Sequence, residues 1–484
     1  MKQISTNGVF DTMKSSSSQT AIVNASKALA ILVILAAPTL CSAQSQWPIS
    51  VNLKTMLQVV NTSTDPNVQK IRTLLNNAPR LLLKEKVKAR SAGITSGNAP
   101  SEVYPAPLNA APAFLIWDAA RRRSIRLPNF AESLDAKYAY TPDQLSRVRQ
   151  VFKNNPEVMQ ELHHAAELPF SYYPKDHWRR FATVREAARE LKTEAVLDAL
   201  DGNYSDALNA SKLGLNIAKQ GGQHSNEVDY LVNLAVESIS LNGLRSILTI
   251  AGPNAQVDTA AETTLKAGLP ALSLRSTVIN ETRTTVQEMD RLRTEKPGEI
   301  DAYIADLSSY TNSPVQNEGN LTPSEKLWLN KLIDFAEAEC LKKNVRTIAT
   351  LDEMEKSGNF VPPVSSGPPD DWSTFTPIVN SSKAEMPALL QLNQRSKAEE
   401  VVVLAAAEIL RQRAISGHYP KTLPPGYIDP FTNKPLAYST VGNRGFTVSS
   451  TDTGGTGELY PPQMSMLTFT YPVVRIPVPK EMLQ

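Results

Sequence analysis

The sequence predicts a mainly α-helical protein with a small α+β unit at its carboxy terminus. Apolar residues recur every three or four positions between residues 184 and 248, the spacing of one face of a helix. Breaks at glycine divide this stretch into helices joined by short turns. A passage rich in turn residues and alternating strand patterns follows only near the end, at residues 417–450. We therefore expect an irregular antiparallel helical body followed by a long helix and a β-hairpin.

The amino terminus predicts export. A lysine precedes an apolar run at residues 28–40, and small residues occupy positions −3 and −1 of a cleavage site after Ala43. The run is shorter than the roughly 20 apolar residues that span a bilayer. We predict a signal peptide over residues 1–43 and a periplasmic or envelope location. An uncleaved membrane anchor is the alternative, and Met13 could replace Met1 as the start.

Charge and cysteine content narrow the function classes. The chain has 50 basic and 48 acidic residues, and the predicted signal contains three lysines and one aspartate, which leaves 47 of each in the mature chain. A neutral chain lacks the basic footprint of a nucleic-acid-binding protein, so we predict no nucleic-acid partner. We also predict no membrane span after cleavage. Cys41 leaves with the signal, and Cys340 then has no second cysteine to pair with.

Composition divides the mature chain into four segments. Proline, glycine and serine concentrate between two helical stretches and before the tail, as they do in linkers. The predicted segments are an amino-terminal helical segment with a linker (44–112), a helical body (113–356), a linker (357–380) and a helix with a β-hairpin (381–484).

Several helix boundaries carry local signals. Thr141 to Gln144 and Thr322 to Glu325 have the sequence of a capping box with proline at the first helical position. Asn155 precedes another proline and starts a further helix. Within "LDGNYSDAL", at residues 200–208, Gly202 can end one helix in a left-handed conformation before the next begins. These patterns predict helix ends and carry no chemistry.

The same "LDGNYSDAL" stretch resembles the turn of a tetratricopeptide repeat. In that family a glycine lets two helices approach and a tyrosine, here Tyr204, packs between them. A single hairpin matches, and no second copy follows at the period of the repeat. The resemblance implies a helical hairpin and leaves a regular superhelix unsupported.

The tail predicts one small folding unit. Residues 383–415 form a long helix that ends at Gly417, and "LAYSTV" and "GFTVSS" alternate on either side of a glycine turn. Leu436 and Tyr438 then share one face of the hairpin with Phe446 and Val448. A lone hairpin is marginal in water, so we expect the apolar helix to cover that face.

The tail resembles the globular part of type II secretion major pseudopilins. The stretches that carry the likeness are "GHYP", "IDPFTNKPLAYS" and "GFTVSSTDTGG". The tail is still more similar to that of uncharacterised exported bacterial proteins with a tetratricopeptide-like body. Assembly into a pseudopilus is not implied, because the matching tail begins far from the amino terminus. Some pseudopilin tails bind calcium in the loop after the last strands. The comparable loop here offers Asp452 and Glu458 as ligands, although a metal-free glycine-rich loop is the interpretation that we favour.

The search for catalytic chemistry identifies no catalytic residue. His163 and Glu167 stand four apart on one helix face, a spacing that can hold a metal, but neighbouring apolar residues favour a packed histidine. Asp176 and His177 lie in an aromatic and basic turn that could line a pocket or form an ordinary packed corner. No metalloprotease, serine hydrolase, phosphate-loop or dinucleotide motif occurs in the sequence.

These observations favour a non-enzymatic function. We predict an exported binding or scaffold protein of the bacterial cell envelope, with a protein or peptide partner and no cofactor other than the calcium considered above. The first alternative is an envelope hydrolase whose catalytic residues, around His163, Glu167 and His177, come from separate parts of the chain. The second alternative is an accessory to a secretion apparatus, which rests on the tail resemblance alone.

Overall fold

The computed structural model describes most of the chain after residue 57. The described residues are 58, 60–62, 64, 66–94, 110–169, 177–222, 227–268, 273–294, 322–357, 377–450, 467–479 and 482. The predicted signal peptide, most of both linkers and the loop with Asp452 and Glu458 lie outside them. The described chain is mainly helical, with a few small sheets near its carboxy terminus, as the sequence predicts.

The helices and strands follow one another in a simple order. The α-helices are α1 (Pro66–Ser91), α2 (Ala110–Ser124), α3 (Pro142–Asn154), α4 (Pro156–Glu167), α5 (His177–Leu200), α6 (Tyr204–Gly222), α7 (Glu227–Ala251), α8 (Ala255–Gly268), α9 (Leu274–Thr294), α10 (Pro323–Ser357) and α11 (Pro377–Ser416). A 3-10 helix covers Asn129–Ser133. The strands are β1 (Tyr138–Ala139), β2 (Ile428–Asp429), β3 (Lys434–Pro435), β4 (Ala437–Thr440), β5 (Phe446–Ser449), β6 (Thr468–Tyr471) and β7 (Ile476–Pro477).

The chain forms two compact units. The first unit comprises Met1–Ala99, Arg275–Glu353 and Pro363–Pro387, and so contains α1, most of α9 and most of α10. The second unit comprises Pro100–Leu274, Met354–Pro362 and Ala388–Gln484. The carboxy-terminal strands therefore belong to the same unit as helices α2 to α8.

Local capping explains where the helices begin and end. Thr141 accepts from the backbone N–H of Gln144, whose side chain accepts from the backbone of Thr141. Thr322 and Glu325 make the same reciprocal pair at the start of α10. Gly202 ends α5 at φ +81°, a conformation that glycine adopts without a steric penalty. All three sequence predictions are confirmed.

The carboxy-terminal part of the second unit contains a three-stranded antiparallel sheet with the order β4-β5-β6. The predicted hairpin is confirmed, because Tyr438 pairs with Val448 and Thr440 pairs with Phe446. The third strand, β6, pairs with β5 from beyond the loop and was not predicted. The pair β2-β3 is antiparallel, and β1-β7 is a parallel pair of two residues each.

One apolar core joins the sheet to the helices of the second unit. Phe446, Val448 and Phe469 are buried on the inner face of the sheet. They belong to a cluster that includes Val402, Ile409 and neighbouring residues of α11 as well as side chains of α5 to α8. The predicted cover of the hairpin by residues 401–415 is confirmed. The tail thus completes the core of the helical body.

Gly445 lies where no side chain fits. Replacing it is therefore expected to destabilise the fold more than a substitution at an open turn position does. A Cβ there would collide with the backbone oxygen of Tyr471 and come within 2.8 Å of Pro472 Cδ. Gly445→Ala is expected to lower the free energy of unfolding by about 1–3 kcal/mol, the usual cost of overpacking, as measured by denaturant titration. Gly442→Ala, where nothing lies within 4 Å, should cost only about 1 kcal/mol of backbone strain. Equal losses would contradict the steric argument.

Candidate functional site

A ladder of carboxylates runs along one face of helix α5. Glu186, Glu190, Glu194 and Asp198 succeed one another at intervals of four residues, which places them on the same side of the helix. Like charges at this spacing repel each other, so the arrangement needs compensating partners. We call these four residues the α5 ladder. Helices α2 and α4 supply partners, and Arg189 of α5 itself pairs with Glu186.

Arg121 of α2 compensates the first two rungs. Its Nη2 donates to Glu186 Oε2 at 3.1 Å, and its Nε donates to Glu190. Glu190 is 1% exposed, and burial raises its pKa to about 7 even though Arg121 favours the ionised form. The second carboxylate oxygen of Glu190 is buried without a hydrogen-bond partner among the described residues. Burial therefore favours the protonated form of Glu190 more than it would be favoured in an exposed glutamate.

His163 of α4 compensates the third rung. Its Nε2 lies 2.7 Å from Glu194 Oε2, and this hydrogen bond raises the pKa of the imidazole. One turn further along α5, burial raises the pKa of Asp198 to about 7, with smaller contributions from Glu194 and Asp206. Two carboxyl groups of α5 and one imidazole of α4 thus have raised pKa values. Perturbed groups of this kind are enriched at functional sites, although structural ion pairs produce them as well.

The hydrogen-bond partner of His163 is not the residue that the sequence paired with it, although the charge of Glu167 helps to raise the pKa of the imidazole. His163 contacts Glu194, 31 positions away, whereas Glu167 is exposed at the end of α4. His177 begins α5, but its side chain lies outside the described residues, as does all of Asp176. Asp452 and Glu458 also lie outside. In the part of the chain that the structure describes, no group of three or more histidine, cysteine, aspartate or glutamate residues could hold a metal ion.

The contact between the third ladder residue, Glu194, and His163 was not predicted, because the two residues are distant in sequence. The ladder itself does have a local signal in the sequence. Carboxylates at 186, 190, 194 and 198 repeat with the period of one helix face. Such a run needs cations nearby, and they come partly from α5 itself, where Arg189 pairs with Glu186, and partly from other helices. Arg121 belongs to "RRR" at residues 121–123, which could have been predicted as the source. Burial raises the pKa of Glu190 and Asp198 in this arrangement, and the pairs with Arg121 and His163 link α5 to α2 and α4.

The pair of His163 and Glu194 is expected to show pH-dependent coupling. A double-mutant cycle with His163→Gln and Glu194→Gln should give a coupling of roughly 0.5–1 kcal/mol below pH ~6.5, the ordinary pKa of histidine. Because the folded-state pKa of His163 is raised, this stability is present at low pH. It is lost as the pH rises through the folded-state value. Denaturant unfolding at several pH values measures it.

Its control is the neighbouring histidine. His164 is exposed on the same helix, so His164→Gln makes the same chemical change away from the Glu194 contact. That variant should show little coupling with Glu194→Gln at any pH. A cycle for His163 that is independent of pH would show that the contact makes no charged pair in solution.

A second polar cluster lies between α7 and α11. Ser396 donates to Glu237, and the carboxyl groups of Glu237 and Glu400 hydrogen-bond each other. Ser238 Oγ donates to Glu399 Oε2 at 2.8 Å. Burial raises the pKa of all three glutamates, which means that the ionised forms are poorly solvated there. We call these five residues the α7–α11 seam.

The seam continues toward the amino-terminal half of α7. Tyr230 Oη donates to Asn393 Oδ1 at 2.7 Å, and both side chains are buried. Each polar contact crosses from one helix to the other, so the set fixes how α11 is aligned along α7. The seam therefore has a structural role that needs no ligand, whereas three of the four α5 ladder residues are only half-buried.

The cysteine offers no reactive thiol. Burial raises the pKa of Cys340 to about 12, so the thiolate that acts as a nucleophile is scarce at neutral pH.

None of the described helices combines the length and the apolar composition needed to cross a membrane. Comparisons with models of known protein families, with curated proteins and with solved structures found no match for this chain.

Proposed function

We propose that this chain is an exported binding or scaffold protein of the bacterial cell envelope. We further propose that a protein or peptide partner docks on the outer edge of strand β4. The observation that carries the proposal is the open edge of the sheet. Among the described residues β4 pairs with β5 alone, and an unpaired edge is a template for an added strand.

The register identifies the groups that a partner would meet. Val441 N–H donates to the carbonyl oxygen of Gly445, so Ser439 and Ala437, at steps of two, also face β5. The intervening Tyr438 and Thr440 therefore direct their backbone N–H and C=O groups away from β5. Thr440 is exposed, and its main-chain groups are available for a main-chain contact that does not disturb the hairpin.

Exposed apolar side chains concentrate near the same strands. In the described part of the chain, Ile415, Ile428, Val441, Val474 and Ile476 are large hydrophobic residues with at least 40% of their surface exposed. Val441 directly follows β4 and is 68% exposed. Val441 therefore adds exposed apolar area at the end of β4, and exposed apolar area is often used for binding.

The finer features of the fold belong to the same proposal. We infer a tetratricopeptide-like hairpin from α5 and α6, supported by the left-handed Gly202 between them and by the packing of Tyr204 against the core. The long helix α11 and the β4-β5 hairpin support the pseudopilin-like tail. Export, cleavage after Ala43 and calcium binding at Asp452 and Glu458 stay predictions of the sequence.

A single substitution on the outer edge tests the proposal. Thr440→Pro removes an outward N–H and introduces a ring that blocks strand addition, whereas edge strands tolerate proline on their solvent side. Thr440→Val is the matched control, because it changes the side chain and keeps the N–H. In-cell crosslinking and pull-down of the mature chain should capture a partner with the wild type and Thr440→Val, and lose it with Thr440→Pro.

The other outcomes are equally informative. Capture by all three proteins would show that the partner does not use the edge of β4, and reproducible absence of any partner would contradict the binding function. A partner that belongs to a secretion apparatus would select the accessory alternative. Deletion of residues 381–484 is a poorer test, because Val402, Phe446 and Val448 belong to the core of the helical body.

A further inference from the structure

Helix α1 carries a concentrated positive charge in a nearly neutral protein. It contains seven basic residues and one acidic residue within 26 positions, whereas the whole chain has a formal net charge of +2. The acidic residue, Glu85, is 2% exposed and pairs with Lys88 at 2.8 Å. The exposed side of α1 is therefore positive along its carboxy-terminal half.

Only some of these cations have a structural role within the unit. Lys86 pairs with the buried Glu337 at 2.9 Å, and Arg72 donates to the backbone oxygens of Val60 and Asn61. Three other cations in the carboxy-terminal half of α1 are exposed and make no ion pair with any described residue: Arg80, Lys84 and Arg90. Their charge is available to a partner.

Two large and exposed apolar side chains lie next to these three cations on α1. Leu83 is 68% exposed and Val87 is 58% exposed. Residues four apart lie on one side of a helix, so Leu83 and Val87 form one stripe next to the stripe of Arg80 and Lys84. We call these four residues, together with Lys88 and Arg90, the α1 face.

The orientation of α1 is fixed by its opposite side. Leu75, Ala78, Leu82 and Ala89 are 8% exposed or less, and they follow helical spacing on the side that packs into the unit. The Asn76 side chain is held by Lys331 Nζ at 2.7 Å, which links α1 to α10. Rotating the helix to bury Leu83 would expose that core, so the α1 face stays at the surface.

We propose that the α1 face binds an anionic lipid surface, with Leu83 and Val87 in contact with the acyl region and the cations at the headgroups. Basic residues around a short apolar stripe are typical of helices that lie in a membrane interface. Lysine and arginine can extend their charged ends to the phosphates while their stems cover the apolar boundary. Each such cation near an anionic bilayer adds to the attraction.

A lipid surface fits this face better than an acidic protein does. A stable protein–protein interface needs about 800 Å² on each partner, and the α1 face is a single convex helix stripe with two apolar residues. A bilayer surface adapts to one helix and needs no complementary groove. The proposed contact is peripheral and rests on charge and exposed apolar area alone.

Flotation with lipid vesicles tests the proposal. The mature chain from Gln44 is used, because the apolar run at residues 28–40 would bind bilayers by itself. It should float with vesicles that mix phosphatidylglycerol and phosphatidylcholine equally, and it should float poorly with phosphatidylcholine alone. Arg80→Gln combined with Lys84→Gln should weaken binding to the anionic vesicles by about tenfold or more, and so should Leu83→Ser combined with Val87→Ser.

The matched control is Ile116→Ser, which removes a large apolar side chain with 60% exposure from the second unit. It should leave vesicle binding unchanged, and thermal unfolding followed by circular dichroism should confirm that all variants fold. High salt should weaken binding, because it screens exposed charges. Equal binding to neutral vesicles, no binding to either kind, or capture of an acidic protein by the α1 face without vesicle binding would each overturn the proposal.

Discussion

Replacing Phe446 with alanine is expected to lower the free energy of unfolding by about 3–5 kcal/mol. Phe446 is 1% exposed and stacks on Phe469 and Tyr471, with ring centroids 5.8 and 6.4 Å apart. Tyr419 and Tyr438 contact its other sides. Truncation of a fully buried phenylalanine removes this area and leaves a cavity that the rigid sheet cannot close. Denaturant unfolding followed by circular dichroism measures the loss.

The controls separate packing from simple loss of apolar surface. Phe446→Leu keeps most of the buried volume and should cost about half as much or less. Val441→Ala removes an exposed side chain from the neighbouring turn and should change stability by under about 0.5 kcal/mol. A loss of less than 1 kcal/mol for Phe446→Ala would contradict a central position in the core.

The same variant also tests whether the tail and the helical body of the second unit unfold together. Phe446 and Val448 share a core cluster with Leu244 of α7 and Ile409 of α11. Loss of packing at the sheet should therefore lower the midpoint of the helical signal. A helical transition that is unaffected by Phe446→Ala would show a tail that unfolds independently, and deletion of residues 381–484 would then become a clean test of docking.

Features that depend on a few neighbouring residues were predictable from the sequence. The capping boxes at Thr141 and Thr322, the left-handed Gly202 and the face shared by Tyr438 and Val448 each depend on residues within a short window. Turn chemistry and helix caps act at that range, and strand alternation fixes which side chains share a face. A single sequence is enough to specify them.

Features that join distant residues were not predictable. The partner of His163 is Glu194, and the partner of Ser238 is Glu399, 161 positions away. Strand β6 reaches β5 from across a loop, and no pattern within Thr468–Tyr471 states which strand it joins. Helices and strands meet because they bury apolar faces together, and this selection depends on the whole chain. The candidate site, which consists of such contacts, was found only in part.

Replacing Glu237 with glutamine is expected to raise stability at alkaline pH by about 2 kcal/mol. Glu237 is 1% exposed, accepts a hydrogen bond from Ser396 and shares another with Glu400. Two carboxyl groups can hydrogen-bond each other only while one of them holds a proton. Glutamine keeps an acceptor for Ser396 and a donor for Glu400, and it has no proton to lose. The effect is measured as the free energy of unfolding against pH.

The sign follows from the direction of the pKa shift. Burial, and secondly the charge of Glu400, raise the pKa of Glu237 above its value in the unfolded chain. The stability that the proton confers is therefore complete below the ordinary glutamate pKa, near pH 4, and is lost as the pH rises through the folded-state value. The wild type should weaken over that range, while Glu237→Gln should change less. The two proteins should have similar stability at about pH 5.

The charged groups around Glu237 and Glu400 decide how much stability is lost when Glu237 ionises. Arg395 lies 3.8 Å from Glu399, and Lys397 lowers the pKa of Glu400, so cations offset part of the negative charge from the side of α11. From α7, Arg245 acts mainly on Glu399, and burial lowers its own pKa. Among the described residues, Glu237 accepts a hydrogen bond from Ser396 and forms no ion pair with a cation. Its ionisation therefore leaves a desolvated charge beside a second carboxylate, a state that proteins avoid.

Glu157→Gln is the matched control, because it removes the same charge from an exposed position in the same unit. Its stability curve should run parallel to that of the wild type. If the curve of Glu237→Gln is also parallel, the two glutamates do not share a proton in solution, and cations must hold both ionised. A curve that diverges only above neutrality identifies the seam as the element whose protonation limits the alignment of α11 on α7.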